Sequence, residues 1–331
     1  MRITYDLLHK FARETVNTRK RTEPDLHAAY LIGSLLDEVP LLGGSTDIDL
    51  VFVHRYQVPV ERETVAITPE VSLDIRHKLV EDFEPHRKLR QEPILGYPLT
   101  KNHILLFDND HWLEFIRAGV GADFHRPENV LARTRGMLDE ARTQWFNLLQ
   151  SPPADRAHWV QGYLAILSLA ANAANGLIAP PLTTRRFLVD FELGVTDLGA
   201  PKILAGFQGL LGRPDFETED LLAWADALQA ESEALDPVQA PTHLAPCRHA
   251  YYLNAIRWLA TSEFSSATIW PLLKIWTDLR CLDGDESPEA WEGLLERLQL
   301  SPDQLEVKTE ALDAYLDNVE VVLDSWAKAY A

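Results

Sequence analysis

The hydrophobic pattern of the chain changes between Arg126 and Pro127, and this change limits the folds that the chain can adopt. Before that point, short runs rich in β-branched and aromatic residues alternate with turn residues, which is typical of strands. After it, apolar residues recur at the 3.6-residue period of helices, with breaks at proline and glycine. We therefore predict an α+β protein, with a small mixed-sheet domain over residues 1–126 and a large all-helical domain over residues 127–331. A Pro-rich stretch over 237–246 marks a weaker break inside the second domain.

The same patterns predict individual elements. A helix over 5–16 is expected to pack on the sheet, because its apolar residues recur at helical spacing. The predicted strands are 28–32, 48–53, 64–67, 71–75 and 103–107. The predicted helices of the second domain are 128–149, 157–177, 185–194, 201–211, 217–235, 248–262, 267–279, 288–298 and 304–330. Most tryptophans fall in these helices, so we expect them to form packing contacts.

The charge of the chain excludes two classes of partner. Its 331 residues include 31 Lys and Arg against 50 Asp and Glu, a formal net charge of −19 at pH 7. Nucleic acids and anionic membranes both attract basic segments, so we expect neither as a partner. Cys247 and Cys281 are the only cysteines, too few for a disulfide framework or a thiolate metal site. No apolar run of signal-peptide length stands at the N-terminus, and we expect a cytoplasmic protein.

Two carboxylates flank a single residue in the second predicted strand. Asp47 and Asp49 point to one face, because side chains alternate along a strand, whereas Ile48 points to the other. Carboxylates about 7 Å apart at the usual rise repel each other unless a cation lies between them. Mg²⁺ fits this position, since it prefers oxygen ligands and completes its shell with water and phosphate oxygens.

Glycine and serine residues accompany the acidic pair. Gly33 and Ser34 follow the first predicted strand, and Gly44 and Ser45 stand shortly before Asp47. Glycine lets the backbone approach a phosphate, and serine supplies a hydroxyl donor. Phosphate binding beside a two-carboxylate metal site indicates phosphoryl or nucleotidyl transfer. In that chemistry one cation activates the attacking oxygen and a second stabilises the leaving pyrophosphate.

These elements, in this order, resemble the signature of the DNA polymerase β-like nucleotidyltransferase superfamily. Gly33-Ser34, a short spacer and the run 44–50, which reads Gly-Ser-Thr-Asp-Ile-Asp-Leu, are similar to hG[GS] followed by Dh[DE]h. The small-molecule branch, with the kanamycin, lincosamide and streptomycin nucleotidyltransferases, is most similar, because its members also place a helical domain after the catalytic domain. The run 104–110 resembles the strand and turn that close that catalytic domain, with His111 where a glycine is usual.

The resemblance implies roles for the acidic residues. Asp47 and Asp49 would bind Mg²⁺, in a site with two metal ions. Asp74, on the fourth predicted strand, would be a third ligand or the general base for the acceptor hydroxyl. The second role suits a carboxylate whose pKa is raised by acidic neighbours. His77 follows closely, and we interpret it as a solvated residue at the strand end.

The resemblance also implies a phosphate site. Gly33 and Ser34 would hold the triphosphate, and Ser45 would assist. Arg185, at a predicted helix start, is a further candidate, because its planar guanidinium group suits phosphate oxygens. The alternative for Arg185 is an ordinary surface position.

An acidic stretch over 215–236 contains no Lys or Arg. One interpretation is an electronegative cleft for a cationic acceptor such as an aminoglycoside, since a cleft of one charge concentrates ligands of the other. The other interpretation, which we favour, is a solvated acidic helix face.

The sequence and the resemblance together predict an enzyme. We expect a Mg²⁺-dependent nucleotidyltransferase that moves a nucleoside monophosphate from an NTP, with ATP as the first candidate, to a hydroxyl of a small molecule and releases pyrophosphate. The alternatives are a non-catalytic nucleotide-binding sensor and a toxin–antitoxin-type nucleotidyltransferase that acts on a protein. The intact acidic residues disfavour the first alternative, and the large helical region disfavours the second.

Overall fold

A computed structural model describes residues 3–36, 41–100, 103–212, 215–238, 240–282 and 288–331. The protein is α+β, with a mixed sheet in its N-terminal part followed by many helices. Contacts between Cα atoms divide the chain into two compact units. The first unit comprises Met1–Arg126 and Leu235–Ala255, and the second comprises Pro127–Ala234 and Ile256–Ala331. The structure therefore differs from the predicted 127–331 domain at Leu235–Ala255, which groups with the sheet.

Within the described residues, the first unit contains a five-stranded sheet with the order β3-β4-β2-β1-β5. The strands are β1 (Leu26–Ile32), β2 (Thr46–His54), β3 (Arg62–Thr68), β4 (Val71–Leu79) and β5 (Ile104–Asp108). Strands β2 and β4 run parallel, and the other neighbouring pairs are antiparallel. The five predicted strands are confirmed, with ends that differ by a few residues.

Helix α1 (Tyr5–Thr22) packs on one face of this sheet, as predicted. It begins after Thr4, whose side chain accepts a hydrogen bond from the backbone N–H of Leu7. Its apolar side packs against inward-facing strand residues. These are Leu8, Ala12 and Val16 on the helix, and Leu31, Ile48, Leu50, Phe52, Leu73 and Ile75 on the strands. Because strand side chains alternate, the neighbouring acidic residues project from the opposite face.

That opposite face carries two further helices, α2 (Pro93–Thr100) and α3 (Trp112–Gly121), which the sequence did not predict. The Asp108 carboxylate accepts hydrogen bonds from the backbone N–H groups of Leu113 and Glu114, and so satisfies the start of α3. His111 lies just before this helix with a φ of 57°. Glycine adopts this left-handed conformation more readily than other residues.

The second unit is helical. Its helices are α4 (Pro127–Gln150), α5 (Arg156–Asn175), α6 (Phe187–Asp197), α7 (Pro201–Leu210), α8 (Thr218–Ala234), α10 (Ile269–Arg280), α11 (Glu289–Arg297) and α12 (Leu305–Tyr330), while α9 (His249–Ala260) begins in the segment grouped with the sheet. Trp270, Trp276 and Trp291 are buried, which confirms their predicted packing role, and Phe187 stacks on Trp270 at a ring distance of 3.9 Å. Within the described ranges, no helix combines the length and apolar character that crossing a membrane requires.

Candidate metal and nucleotide site

The three carboxylates predicted to bind metal meet on the sheet face opposite α1. Asp49 on β2 lies opposite Asp74 on β4 in the parallel register, and alternation brings Asp47 to the same face. One oxygen from each carboxylate lies within 4.8 Å of one from each of the others. Asp47 and Asp74 are only 2% and 1% exposed, and Asp49 is half-buried. The fold thus brings Asp74, which is 25 or more positions away in the chain, into a single acidic group with Asp47 and Asp49.

Two guanidinium groups neutralise part of this charge. Arg62 on β3 donates from Nε to Asp74 Oδ1 at 2.7 Å and from Nη2 to Asp74 Oδ2. Arg248 donates from Nη1 to Asp74 Oδ2 at 2.8 Å and from Nη2 to Asp47 Oδ2 at 3.1 Å. Arg248 itself is 2% exposed. Since a buried carboxylate without a counterion costs several kcal/mol, these arginines make the acidic group compatible with the fold.

The pKa of Asp74 is lowered, whereas the sequence interpretation of this residue as a base assumed a raised value. Burial favours the neutral form, but the hydrogen bond from Arg62 and the charges of Arg248 and Arg62 outweigh it. Both oxygens of Asp74 already accept hydrogen bonds. A carboxylate in this state accepts a proton poorly, so its position favours an anchoring role over general base catalysis.

The raised pKa falls on Asp49 instead. Burial is the largest cause, and the negative charges of Asp47 and Asp74 add to it. Each of these effects disfavours a further negative charge at this position. Asp49 therefore gains most from a cation placed at this group.

Gly33 and Ser34 lie directly beside Asp49. Gly33 has a φ of +83°, and a Cβ atom at this position would lie 2.0 Å from Asp49 Oδ2. Only glycine lets the backbone pass this close to the carboxylate. The Ser34 hydroxyl is buried and has no hydrogen-bond partner among the described residues. The phosphate role of Ser34 stays a prediction, and its buried hydroxyl is available to donate to a ligand oxygen.

Ser45, the third predicted phosphate residue, has a different environment. Its side chain is fully buried, and its hydroxyl donates to the Leu42 carbonyl oxygen at 3.2 Å. The turn around it also requires Gly43, where a Cβ atom would lie 2.1 Å from the Asn254 carbonyl oxygen. These contacts make Ser45 a residue that holds the turn before β2, and we leave it out of the phosphate site below.

The remaining predicted features lie in the second unit. Arg185 is 5% exposed there, so it is not the ordinary surface residue of the alternative interpretation. In the acidic stretch 215–236, three carboxylates pair with arginines of the same unit. The pairs are Asp226 with Arg257 at 2.7 Å, Glu231 with Arg280 at 3.4 Å and Asp220 with Arg297 at 3.6 Å. This pairing favours a partly neutralised helix face over a cleft for a cationic acceptor.

The residues of the acidic group fit a bound Mg²⁺. Asp47 Oδ1 is buried and has no hydrogen-bond partner within the described parts of the chain. This oxygen and the Asp49 carboxylate supply the one or two protein carboxylates that Mg²⁺ usually takes. Asp74 fits less well as a third ligand, because its oxygens are engaged by Arg62 and Arg248.

The sequence interpretation missed both arginines of this group. A signal for Arg62 exists, because β3 and β4 form a hairpin in which Thr64 lies opposite Asp74 and Arg62 is the next residue on the same face. For Arg248 we find no local signal. It lies 174 positions from Asp74 in the chain, and only the fold brings the two together.

Comparison with known proteins adds nothing to this geometry. No protein-family model matches the chain, and no curated protein matches it.

Proposed function

We propose that this protein is a Mg²⁺-dependent nucleotidyltransferase that transfers a nucleoside monophosphate from an NTP to a hydroxyl of a small molecule. The observation that carries the proposal is the contact between Gly33 and Asp49. This contact places the turn at Gly33-Ser34, which suits a phosphate group, directly against Asp49, the carboxylate whose pKa is raised. A metal-bound nucleoside triphosphate matches both halves of this arrangement.

Each residue of the site has its own role in the proposed reaction. Asp47 and Asp49 hold the metal, and Ser34 donates its hydroxyl to a phosphate oxygen. A Mg²⁺ ion held by these two carboxylates would supply the Lewis acidity that activates the attacking oxygen and the positive charge that stabilises the leaving pyrophosphate. Asp74 anchors Arg62 and Arg248, which keep positive charge beside the phosphates. ATP is the first nucleotide to test, and a buried site accommodates a small acceptor more readily than a polymer.

The test is pyrophosphate release. The full chain is incubated with Mg²⁺, each of the four NTPs and a panel of hydroxylated acceptors that includes aminoglycosides. We expect release that depends on Mg²⁺ and acceptor, and its loss in Asp49→Asn. Asp110→Asn is the matched control, because that carboxylate is 81% exposed and lies in the turn after β5, outside the acidic group. Release by Asp49→Asn at the rate of the unmodified protein would show that the site is misassigned.

A second candidate function follows from Arg248, which bridges Asp47 and Asp74 in the manner of a counterion. If this guanidinium group takes the place of the metal, the protein would bind a nucleotide here without the cation that transfer requires. Calorimetry distinguishes the two functions. Nucleotide binding that is unchanged by EDTA, with no pyrophosphate release on any acceptor, favours a non-catalytic nucleotide sensor.

A further inference from the structure

A second group of metal-ligating side chains lies on the sheet face that α1 covers. Glu23 follows the last turn of α1, His54 ends β2, and His77 lies on β4. One ligand atom from each lies within 4.8 Å of one from each of the others. His77 is 2% exposed, so its predicted position as a solvated strand-end residue is wrong. The residues belong to three different elements, all in the first unit.

The atoms that face each other in this group are of the kind that binds metal. His54 Nε2 lies 2.8 Å from His77 Nδ1, and both rings are only 2% exposed. Glu23 Oε2 is buried and has no hydrogen-bond partner in the described part of the chain. Two imidazole nitrogens and one carboxylate oxygen are the protein ligands of many zinc sites, with water as the fourth.

The outer contact of His77 follows the pattern of metal-binding histidines, whose second ring nitrogen usually donates a hydrogen bond to a carboxylate, a carbonyl oxygen or water, whereas the carboxylate near His54 lies beyond hydrogen-bond distance. His77 Nε2 lies 3.3 Å from Glu63 Oε1, and His54 Nδ1 lies 4.0 Å from Asp25 Oδ2. Arg19 donates to the other oxygen of Glu23, Oε1, at 2.5 Å, which leaves Oε2 free for a ligand.

We propose that Glu23, His54 and His77 bind a divalent transition metal ion, with Zn²⁺ the ion that best suits two imidazoles and one carboxylate. The ion joins the end of α1 to strands β2 and β4 and so stabilises the first unit. Binding requires neutral histidines, and burial lowers the pKa of both rings, which keeps them neutral at pH 7.

A hydrogen-bonded network without metal is the alternative arrangement. In it His54 Nε2–H donates to His77 Nδ1, and His77 Nε2–H donates to Glu63. This network gives both histidines a partner but leaves Glu23 Oε2 buried and unpartnered among the described residues. An ion in the group satisfies that oxygen as well, which is the reason to prefer it.

The test measures Zn²⁺ binding by the full chain after EDTA treatment and dialysis. Because Asp47 and Asp49 offer a competing site, the measurement is made in the Asp49→Asn background. We expect one bound Zn²⁺ there, with an affinity at least about 100-fold weaker after His77→Gln. His103→Gln is the matched control, since this histidine lies in the same unit and its Nδ1 lies 2.8 Å from the Pro98 carbonyl oxygen. It should leave the affinity unchanged.

Two further readouts keep the test decisive. Glu23→Gln preserves the shape of the side chain, and we expect it to weaken Zn²⁺ at least about 10-fold even if His77→Gln does not fold. Zn²⁺ should raise the Tm of the Asp49→Asn protein by more than that of the same protein with Glu23→Gln. Absence of Zn²⁺ binding in the Asp49→Asn background, or equal affinity with and without Glu23, would overturn the proposal.

Discussion

The two faces of the β2–β4 pair each carry a group of buried ionisable side chains, and the two groups differ in how they avoid unpaired charge. On one face, Asp47, Asp49 and Asp74 are held beside two guanidinium groups of the chain. On the other face, His54 and His77 are neutral at pH 7 because burial lowers their pKa. Carboxylates must therefore obtain counterions from the fold, whereas histidines enter the interior uncharged and need none until a metal binds.

The acidic group and the histidine group therefore contribute to stability in different ways. The arginines of the acidic group are part of the folded protein, so their removal leaves buried negative charge behind. The histidine group loses little when no ion is present, and the stability that it gains rises with the logarithm of the metal concentration. Variants of either group test this contrast.

Replacing Arg248 with alanine should destabilise the protein most. Asp47 would lose its arginine and Asp74 one of two, and breaking a buried ion pair on one side costs about 3–5 kcal/mol. The measurement is urea unfolding in EDTA. Arg135→Ala is the matched control, because its pair with Asp324 has both side chains 52% exposed and should cost less than about 1 kcal/mol.

Mg²⁺ sharpens this result. A divalent cation can replace the lost positive charge, so it should raise the Tm of Arg248→Ala by more than that of the unmodified protein. Equal free energies of unfolding for Arg248→Ala and Arg135→Ala would mean that the arginine does not neutralise the acidic group.

Two glycines test the approach of the backbone to Asp49. Gly33→Ala places a Cβ atom 2.0 Å from Asp49 Oδ2 at a φ of +83°. The clash and the strained φ together should cost about 2–4 kcal/mol and abolish pyrophosphate release. Gly44→Ala shares a positive φ of +78°, but nothing lies within 4 Å of its Cβ. It should cost only about 1 kcal/mol, as measured by urea unfolding. If Gly33→Ala and Gly44→Ala lower the free energy of unfolding equally, the close approach of Gly33 to Asp49 has no effect on stability.

The fold was predictable where it depends on local pattern. Alternation and helical period placed the five strands and α1, and the spacing of Asp47 and Asp49 placed both on one face. Helices α2 and α3 were not predicted, because they are short and because Pro98, which lies within α2, is typical of a helix break.

The site was predictable only in part, for a physical reason. Its acidic residues lie on neighbouring strands and carry a motif, whereas their counterion Arg248 comes from a remote segment that no periodicity links to the sheet. His54 and His77 were missed for a related reason. Each lies beyond the end of its predicted strand, 48–53 or 71–75, where a polar residue is usually solvated, but β2 and β4 extend to include them and both are buried.

A smaller effect is expected from Glu63, which faces the histidine group from outside. Glu63→Gln weakens the hold on His77 Nε2 and should reduce the Zn²⁺ affinity about 10-fold, or about 1.4 kcal/mol, without removing a ligand. Glu61→Gln is the control, since that side chain is exposed on the same strand connection. Calorimetric titration with Zn²⁺ in the Asp49→Asn background measures both. If the two variants bind equally, Glu63 does not position His77.

The smallest effect is expected on stability at Asp49. Its sign distinguishes the acidic face, which carries a charge that opposes folding, from the histidine face, which is neutral. The pKa of Asp49 is raised in the folded protein, so ionisation of this carboxylate opposes folding as the pH rises through that pKa. Below about pH 4 the carboxylate is neutral in both the folded and the unfolded state, so it has no effect on stability. Asp49→Asn keeps the side chain neutral and should therefore stabilise the metal-free protein by about 1 kcal/mol at pH 8, while abolishing activity. Urea unfolding in EDTA should show this gain shrinking to zero on acidification. The exposed control Asp110→Asn should show no gain, and destabilisation by Asp49→Asn at pH 8 would mean that the arginines already neutralise the whole acidic group.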